Sequence, residues 1–254
     1  MEKFIKDITK KAGRAILKKF GKIGVKYTKR DAADVVTEAD LISNSIIVNA
    51  IKKNYPSHGI ISEESGDHQK DSEYVWIIDP LDGTRNFSRR TPLFAVQICL
   101  VKKGKVEIAT IYNPYTEELF FAQRGRGAFL NGTKIHCSNH KTWKDSWGVG
   151  SANISKKSIS FLGKILSHSE NDPCWISALG SVGVSAMYVA DGRRDWQISG
   201  NGQLWDYAPL ALVLQEAGCK VTNFKGKPWS LEDRELVAAN KHLHAELIKI
   251  LNSK

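Results

Sequence analysis

Hydrophobic positions near the start of the chain fall at helical intervals. Phe4, Ile5, Ile8, Ala12, Ala15, Ile16 and Phe20 gather on one face while lysines fill the other. The spacing predicts an amphipathic helix packed on the body of the protein, with a basic helix lying on a membrane as the lesser alternative. The stretch GKIGVKYTKRDAADVVTEAD reads as a glycine-started hairpin or mobile loop that ends extended at Val35 to Thr37. A second helix is expected from about Glu38 to Asn54, stopped by YPSHG, followed by a short strand in GIISEESGD broken by acids and glycine. Tyr74 to Ile78 is an apolar run rich in aromatic and β-branched residues, the signature of a strand buried on both faces. From Leu93 to Ser138 apolar segments alternate with the turns KKGK, NPYT and RGRG and with an Asn-Gly hairpin signal in AFLNGTKI, which predicts an antiparallel meander. Beyond SWGVGS strands alternate with helices, expected around Lys157 to Ser167, Ser181 to Ala190, Asp206 to Ala217 and Lys241 to Leu251. The third of these has Asp206 as its expected N-cap, Pro209 in the first turn and Gly218 at its end.

Helices, an antiparallel sheet and then a second α/β half imply an α+β protein of stacked layers. The expected division is an N-terminal half over residues 1–140 and a C-terminal half over 141–254 that completes the site, with no repeat or low-complexity linker between them. The 254 residues, 42% hydrophobic and 25% charged, are those of an ordinary globular protein. No uncharged apolar run approaches the roughly 18 residues of a membrane span. The N-terminus also lacks the apolar core of a signal peptide, so a cytoplasmic protein without membrane attachment is expected. Cys99, Cys137, Cys174 and Cys219 stand far apart in sequence without CxxC spacing, and read as reduced thiols rather than a zinc site. A net charge of +10 suits phosphorylated substrates and also nucleic acid. Because the lysines are dispersed, a solvated basic surface is the default explanation and nucleic acid the weaker expectation.

The chemistry begins where the buried run meets DPLDGTRNF. Pro80 restricts Asp79 to extended backbone and Gly83 permits a geometry closed to other residues, so a stiff turn points Asp79 and Asp82 the same way. Two close carboxylates repel, and a divalent cation such as Mg²⁺ is the economical way to keep both ionised. A helix starting near Thr84 would add N–H donors and a positive dipole end for a phosphate.

Further acids recur at element ends: Asp40 in VVTEAD, Glu63 and Glu64 in ISEES, and Asp206 in LWDYAPLALVLQEAG. In their order and intervals VVTEAD, ISEES, WIIDPLDGTRNF, the Gly-Ser pair at 180–181 and WDYA resemble the inositol monophosphatase family of metal-dependent, lithium-sensitive phosphatases, over nearly the whole chain. The resemblance implies a five-layer α-β-α-β-α sandwich of the sugar-phosphatase type that hydrolyses small phosphomonoesters with two or three Mg²⁺ ions. It further implies that Glu63, Asp79 and the carbonyl of Leu81 hold one ion, and that Asp79, Asp82 and Asp206 hold a second. The backbone of Gly83 and Thr84 would cradle phosphate, Asp40 and the Thr84 hydroxyl would position the attacking water, and Glu64 ranks below Glu63. A homodimer acting on a small phosphorylated metabolite completes the expectation.

Departures from the family concern the substrate. Inositol-hydrolysing members carry a glutamate seven residues before the aspartate of WDYA, where this chain has Ser199. Serine neither accepts charge-assisted bonds from sugar hydroxyls nor repels a second phosphate, which leaves inositol specificity open. Gly180 and Ser181 match the segment that lines the pocket, and Arg85, Arg193 and Arg194 add positive charge that either faces solvent or meets a larger anionic substrate. Fructose-1,6-bisphosphatase, histidinol-phosphate phosphatase and 3'(2'),5'-bisphosphate nucleotidase activities are therefore alternatives. A non-enzymatic protein binding RNA or a transcription partner is the alternative from another class.

Overall fold

In the computed structural model, which describes residues 1–22, 25–28, 35–150, 156–170 and 172–253, the elements follow one another as the hydrophobic pattern predicts. The chain opens with α1 (Glu2–Leu17), β1 (Val25–Thr28), β2 (Val35–Thr37), α2 (Glu38–Asn54), β3 (Gly59–Ser62) and β4 (Gly66–His68). Next come β5 (Tyr74–Asp82), α3 (Thr84–Ser88), β6 (Ala95–Lys102), β7 (Lys105–Asn113), β8 (Glu118–Gln123), β9 (Gly127–Leu130) and β10 (Thr133–Ile135). The second half holds β11 (Trp147–Gly150), α4 (Lys156–His168), β12 (Trp175–Ser177), α5 (Val182–Ala190), β13 (Trp196–Gly200), α6 (Leu204–Glu216), β14 (Lys220–Thr222), β15 (Glu235–Ala239) and α7 (Lys241–Asn252). Strands β1 and β2 pair antiparallel, as a hairpin would, but much of the loop expected between Gly21 and Val35 lies outside the described residues.

Eight strands form one sheet in the order β10-β9-β8-β7-β6-β5-β3-β4, and five form another in the order β12-β11-β13-β15-β14. The expected meander is the run β6 to β10, each strand antiparallel to the next. Helices α1 and α2 cover the outer face of the large sheet, α5 and α6 lie between the sheets, and α4 and α7 cover the far face of the small one. The result is the layered α-β-α-β-α sandwich, with three apolar cores. Strand β5 shows why its sequence is apolar without alternation: Trp76 and Ile78 enter the core under α1 and α2, while Val75 and Ile77 enter the one shared with α5 and α6. The third core joins Trp143, Phe161 and Trp196 to Leu243 and Leu247 of α7.

Three local details correct the sequence reading. Strand β5 does not end at Ile78 but runs to Asp82. It does so over a bulge, since Asp79 faces Gln97 and Asp82 faces Ala95, one residue short on β6. The bulge accommodates Pro80, which has no N–H to give a regular ladder. Helix α6 starts at Leu204 with Gln203 as N-cap, so Asp206 is its third residue rather than its cap. Pro209 is then the sixth residue and lies beyond the first turn, where its missing N–H forfeits one helical bond. All four cysteines are free, and the fold brings the Cys137 and Cys219 thiols together.

Candidate active site

The bulge at the end of β5 delivers two carboxylates into the interior. Asp79 is 1% exposed and Asp82 is 8% exposed. Asp79 Oδ1 accepts the Leu81 N–H at 3.1 Å and Oδ2 faces Gln97 Nε2 at 3.4 Å. Burial pushes the Asp79 carboxyl well above the usual range, and the charges of Glu63, Asp82, Asp206 and Asp40 push it the same way. Those four acids, read from separate stretches of sequence, thus converge electrostatically on one buried group. Gly83 turns the chain at φ +85°, where a Cβ would lie 2.7 Å from the Leu93 carbonyl oxygen, so glycine is required both by conformation and by space. Helix α3 begins at Thr84 as expected but ends at Ser88 after five residues. An anion at Gly83 and Thr84 would rest on individual N–H donors and not on a long helix dipole.

Asp40 and Asp206 reach the cluster by the same local device. Each is the third residue of its helix, with its carboxylate turned back on the N-cap N–H. Asp40 Oδ2 accepts the Thr37 N–H at 2.8 Å and its hydroxyl at 2.6 Å, and Asp206 Oδ2 accepts the Gln203 N–H at 2.6 Å. In both helices the acid that closes the capping box is also one whose charge acts on Asp79. The Thr84 hydroxyl stands 3.0 Å from Asp40 Oδ1 and 2.8 Å from the Leu81 carbonyl, either of which accepts its proton. Burial raises the Asp40 carboxyl to about 6 against the pull of bonds from Thr37 and Thr84, with Glu64 adding a smaller rise. Glu63 and Glu64, half-buried, follow β3, and the Glu63 N–H donates to the Ile78 carbonyl at 3.3 Å, which fixes this loop beside β5.

The second half closes the site at the N-terminus of α5. The Ser181 hydroxyl donates to Asp82 Oδ2 and accepts the Val184 N–H at 3.0 Å, while the Gly183 and Val182 N–H groups reach Asp82 at 2.8 and 3.2 Å. These bonds restrain the rise that burial imposes on Asp82. Gly180, at φ +69°, packs against Asn86, whose Nδ2 donates to the Leu93 and Leu179 carbonyls and ties the two halves together. Ser199 is buried on β13, its hydroxyl 3.0 Å from that of Tyr207. Arg85 stands exposed on α3, beside the cluster in sequence. Arg193 and Arg194 follow the opposite end of α5, about 13 Å of helix from Ser181. There Arg193 pairs with Asp191 and Glu118, and Arg194 stacks on Trp147, away from the carboxylates.

The donor set fits a hard cation by its chemistry rather than as a ready-made cage. Among the described residues no three His, Cys, Asp or Glu side chains are already gathered as a metal cluster. The site does offer buried carboxylate and carbonyl oxygens, and no lysine or arginine among the described residues pairs with Asp40, Asp79 or Asp82. Gln97 Oε1, buried beside Asp79, has no hydrogen-bond partner. Gln97 escaped the sequence reading, although a single polar residue in the strand AVQICLV is a usable signal. Ser43, which donates to the Pro80 carbonyl at 2.7 Å, and Asn86 carried no comparable signal.

Comparison with known proteins bears on the family and the fold. The profile of the inositol monophosphatase family matches residues 1–254. A fructose-1,6-bisphosphatase/inositol-1-monophosphatase of Thermotoga maritima is 32% identical over 245 residues, covering 96% of this chain and 93% of the relative. A putative Nus factor SuhB of Neisseria meningitidis serogroup B is 34% identical over 251 residues, covering 96% and 95%. The crystal structure of the extragenic suppressor protein suhB from Bartonella henselae superposes with a TM-score of 0.92 at 32% identity, covering 99% of this chain and 98% of that one.

Proposed function

The chain belongs to the inositol monophosphatase family, and from that membership we propose that it is a Mg²⁺-dependent phosphomonoesterase acting on a small phosphorylated polyol, sugar or nucleotide. The observation that carries the proposal is Asp79, buried and surrounded by the like charges of Glu63, Asp82, Asp206 and Asp40. A folded protein has little reason to keep such a cluster unless cations balance it. In this reading Glu63, Asp79 and the Leu81 carbonyl hold one Mg²⁺, and Asp79, Asp82 and Asp206 hold a second. Bound there, Mg²⁺ supplies charge neutralisation at the phosphoryl oxygens and lowers the pKa of water.

The chain's own residues supply position and proton transfer. Thr84 donates its proton to Asp40 Oδ1 while its lone pairs accept a proton from the attacking water, so the water proton ends on Asp40 and the threonine is unchanged. A carboxyl raised to about 6 is suited to accept a proton near neutral pH. The Gly83 and Thr84 N–H groups bind the phosphate. Gly180, Ser181 and Arg85 border the rest of the substrate, and Ser199, paired to Tyr207, contributes a neutral wall where an acid would select for polyols. The halves 1–140 and 141–254 share the site, the first supplying Asp40 to Thr84 and the second Asp206 and the α5 N-terminus. Cytoplasmic location, a homodimer and inhibition by Li⁺ complete the proposal. Among the described residues no helix is long and apolar enough to cross a membrane.

A second reading is favoured by the relative named as a putative Nus factor and by the net charge of +10: a partner in transcription that binds protein or RNA. A phosphate-release panel separates the two. Inositol 1-phosphate, fructose 1,6-bisphosphate, histidinol phosphate and adenosine 3',5'-bisphosphate are offered with Mg²⁺ and with chelator. Turnover of at least one substrate with Mg²⁺ and none in chelator is expected. Absence of turnover across the panel would leave the transcription reading standing.

A further inference from the structure

A cavity of about 390 Å³ opens between α1 and the outer face of the large sheet. Helix α1 lies on β6 and β7 and reaches only the near part of β8, so the sheet beyond its flank is uncovered. The cavity shares no lining residue with the carboxylate cluster, and it lies on the opposite face of the sheet from α5 and α6. Its volume is within the range of small-molecule sites, about 300 to 1,000 Å³.

The lining is cationic by construction. Lys6, Lys10 and Arg14 recur at four-residue intervals, so one face of α1 turns three positive groups toward one hollow, each about 6 Å along the axis from the next. Lys6 is already engaged, 2.5 Å from Glu2 and 4.0 Å from the centre of the Phe121 ring. Lys10 and Arg14 form no ion pair among the described residues. Glu117 is the one carboxylate in the lining. Like charges at this spacing on a helix repel. A solvated face explains the other lysines of α1, but it does not explain cations gathered around a concavity.

The floor is fitted to the helix as well. Tyr112 of β7 passes its ring beneath Gly13, where a Cβ would meet the ring carbons at 2.5 Å, so the glycine is what allows the phenol into this wall. The charges of Glu117 and Arg14 both act on the Tyr112 hydroxyl, which sets the three groups around one end of the cavity. Asn131 shapes the rim and is held in place there, since Oδ1 accepts the Leu119 N–H at 3.0 Å and Nδ2 donates to the Glu117 carbonyl at 3.1 Å.

We propose that this cavity is a second anion site, separate from the carboxylate cluster, for a small molecule carrying two phosphate groups. The guanidinium of Arg14 offers the planar fork that matches a phosphate edge, and Lys10 one turn away offers a point charge for the other group. The cations converge on one half-open hollow, which suits a small molecule, whereas a nucleic-acid strand would need a basic track running well beyond it.

The test is calorimetric titration of the full-length protein with inorganic pyrophosphate in chelator at moderate salt. One saturable site is expected. Lys10→Gln and Arg14→Gln should each weaken it by about tenfold, the loss of one charge-assisted bond. Asp82→Asn should bind as wild type does, and Lys10→Gln should keep the wild-type kcat/KM in phosphate release. Circular dichroism checks that both charge variants fold, and either alone suffices for the comparison. No saturation up to about 1 mM, wild-type affinity in both charge variants, or an affinity that falls with Asp82→Asn instead would each overturn the proposal.

Discussion

The two ends of α5 handle charge in opposite ways. At the C-terminal end Arg193 lies 2.6 Å from Asp191 and 3.0 Å from Glu118, its guanidinium 4.2 Å above the Tyr188 ring. Arg193 has met opposite charges on two sides there, while Arg194 rests on the Trp147 ring. At the N-terminal end Ser181, Val182 and Gly183 turn donors on Asp82, yet Asp79 beside it is surrounded by further acids and pushed up by all of them. Hydrogen bonds restrain Asp82, and among the described residues no lysine or arginine pairs with Asp79 or Asp82. A charge cluster that only stabilises a fold balances itself, whereas one that stays like-charged and buried is arranged for something that arrives from outside.

The sharpest way to break this contrast is at Asp82. Asp82→Asn keeps the side-chain volume and removes one negative charge from the proposed ligand set. Phosphate release with Mg²⁺ in excess should fall at least about a hundredfold, the scale on which disturbing a metal site acts. The far-UV spectrum should be unchanged. Activity within a few-fold of wild type would mean that the acid end of α5 is no more functional than the arginine end.

The next effect is on stability and its pH dependence. Asp40 is raised to about 6 from an ordinary 3.8, and Asp79 and Asp82 are raised as well. The metal-free folded chain therefore holds protons that the unfolded chain has released. For Asp40 that stabilisation is fully present below 3.8 and is lost as pH rises through about 6, by up to roughly 3 kcal/mol, and Asp79 and Asp82 act in the same direction. Mg²⁺ favours the ionised carboxylates, so the rise it causes in the urea midpoint should be small at pH 5 and large at pH 8. His244, buried and depressed to about 4, gives the opposite trend. Its stabilisation is lost as pH falls from 6.5 through 4, and it cancels when midpoints with and without Mg²⁺ are compared at one pH. Arg193 contributes nothing in this window: burial pulls its pKa down, but Asp191 and Glu118 push it net upward, further from titration. An equal effect of Mg²⁺ at pH 5 and pH 8 would count against the acid end as a cation site.

What the sequence disclosed follows from how far each signal reaches along the chain. The start of α2 at Glu38 and the strand before Asp79 are local patterns and were legible, because helix boundaries and apolar runs are written within a few residues. The bulge between Asp79 and Asp82 was not, since a one-residue slip against β6 depends on a partner strand. The same limit hid Gln97, visible as a lone polar residue but not as the neighbour of Asp79. Asp206 is separated from Asp79 by three helices and most of two sheets. Its place in the cluster came from the family resemblance and not from periodicity, and its position as third helical residue emerged only with the fold. For Arg193 and Arg194 the charge was plain in the sequence. Of the two carboxylates that neutralise Arg193, Asp191 lies two residues away, but Glu118 on β8 is a tertiary contact that no local pattern encodes.

The smallest effect sharpens the comparison from the other side. Arg193→Ala removes two carboxylate contacts and the stacking on Tyr188. The guanidinium is more than a third exposed, so solvent screens much of the Coulomb attraction. The expected loss is about 1 kcal/mol, most of it from the stacking on Tyr188 and the close contact with Asp191. Because this end lies a full helix length from Ser181, kcat/KM for the preferred phosphomonoester should stay within about twofold of wild type, a change too small to signal a lost transition-state contact. Urea denaturation and phosphate release on the same preparation give both numbers. A drop in kcat/KM of tenfold or more with the fold intact would mean that α5 transmits the state of its arginine end to its acid end, and the two ends would have to be treated as a single electrostatic unit.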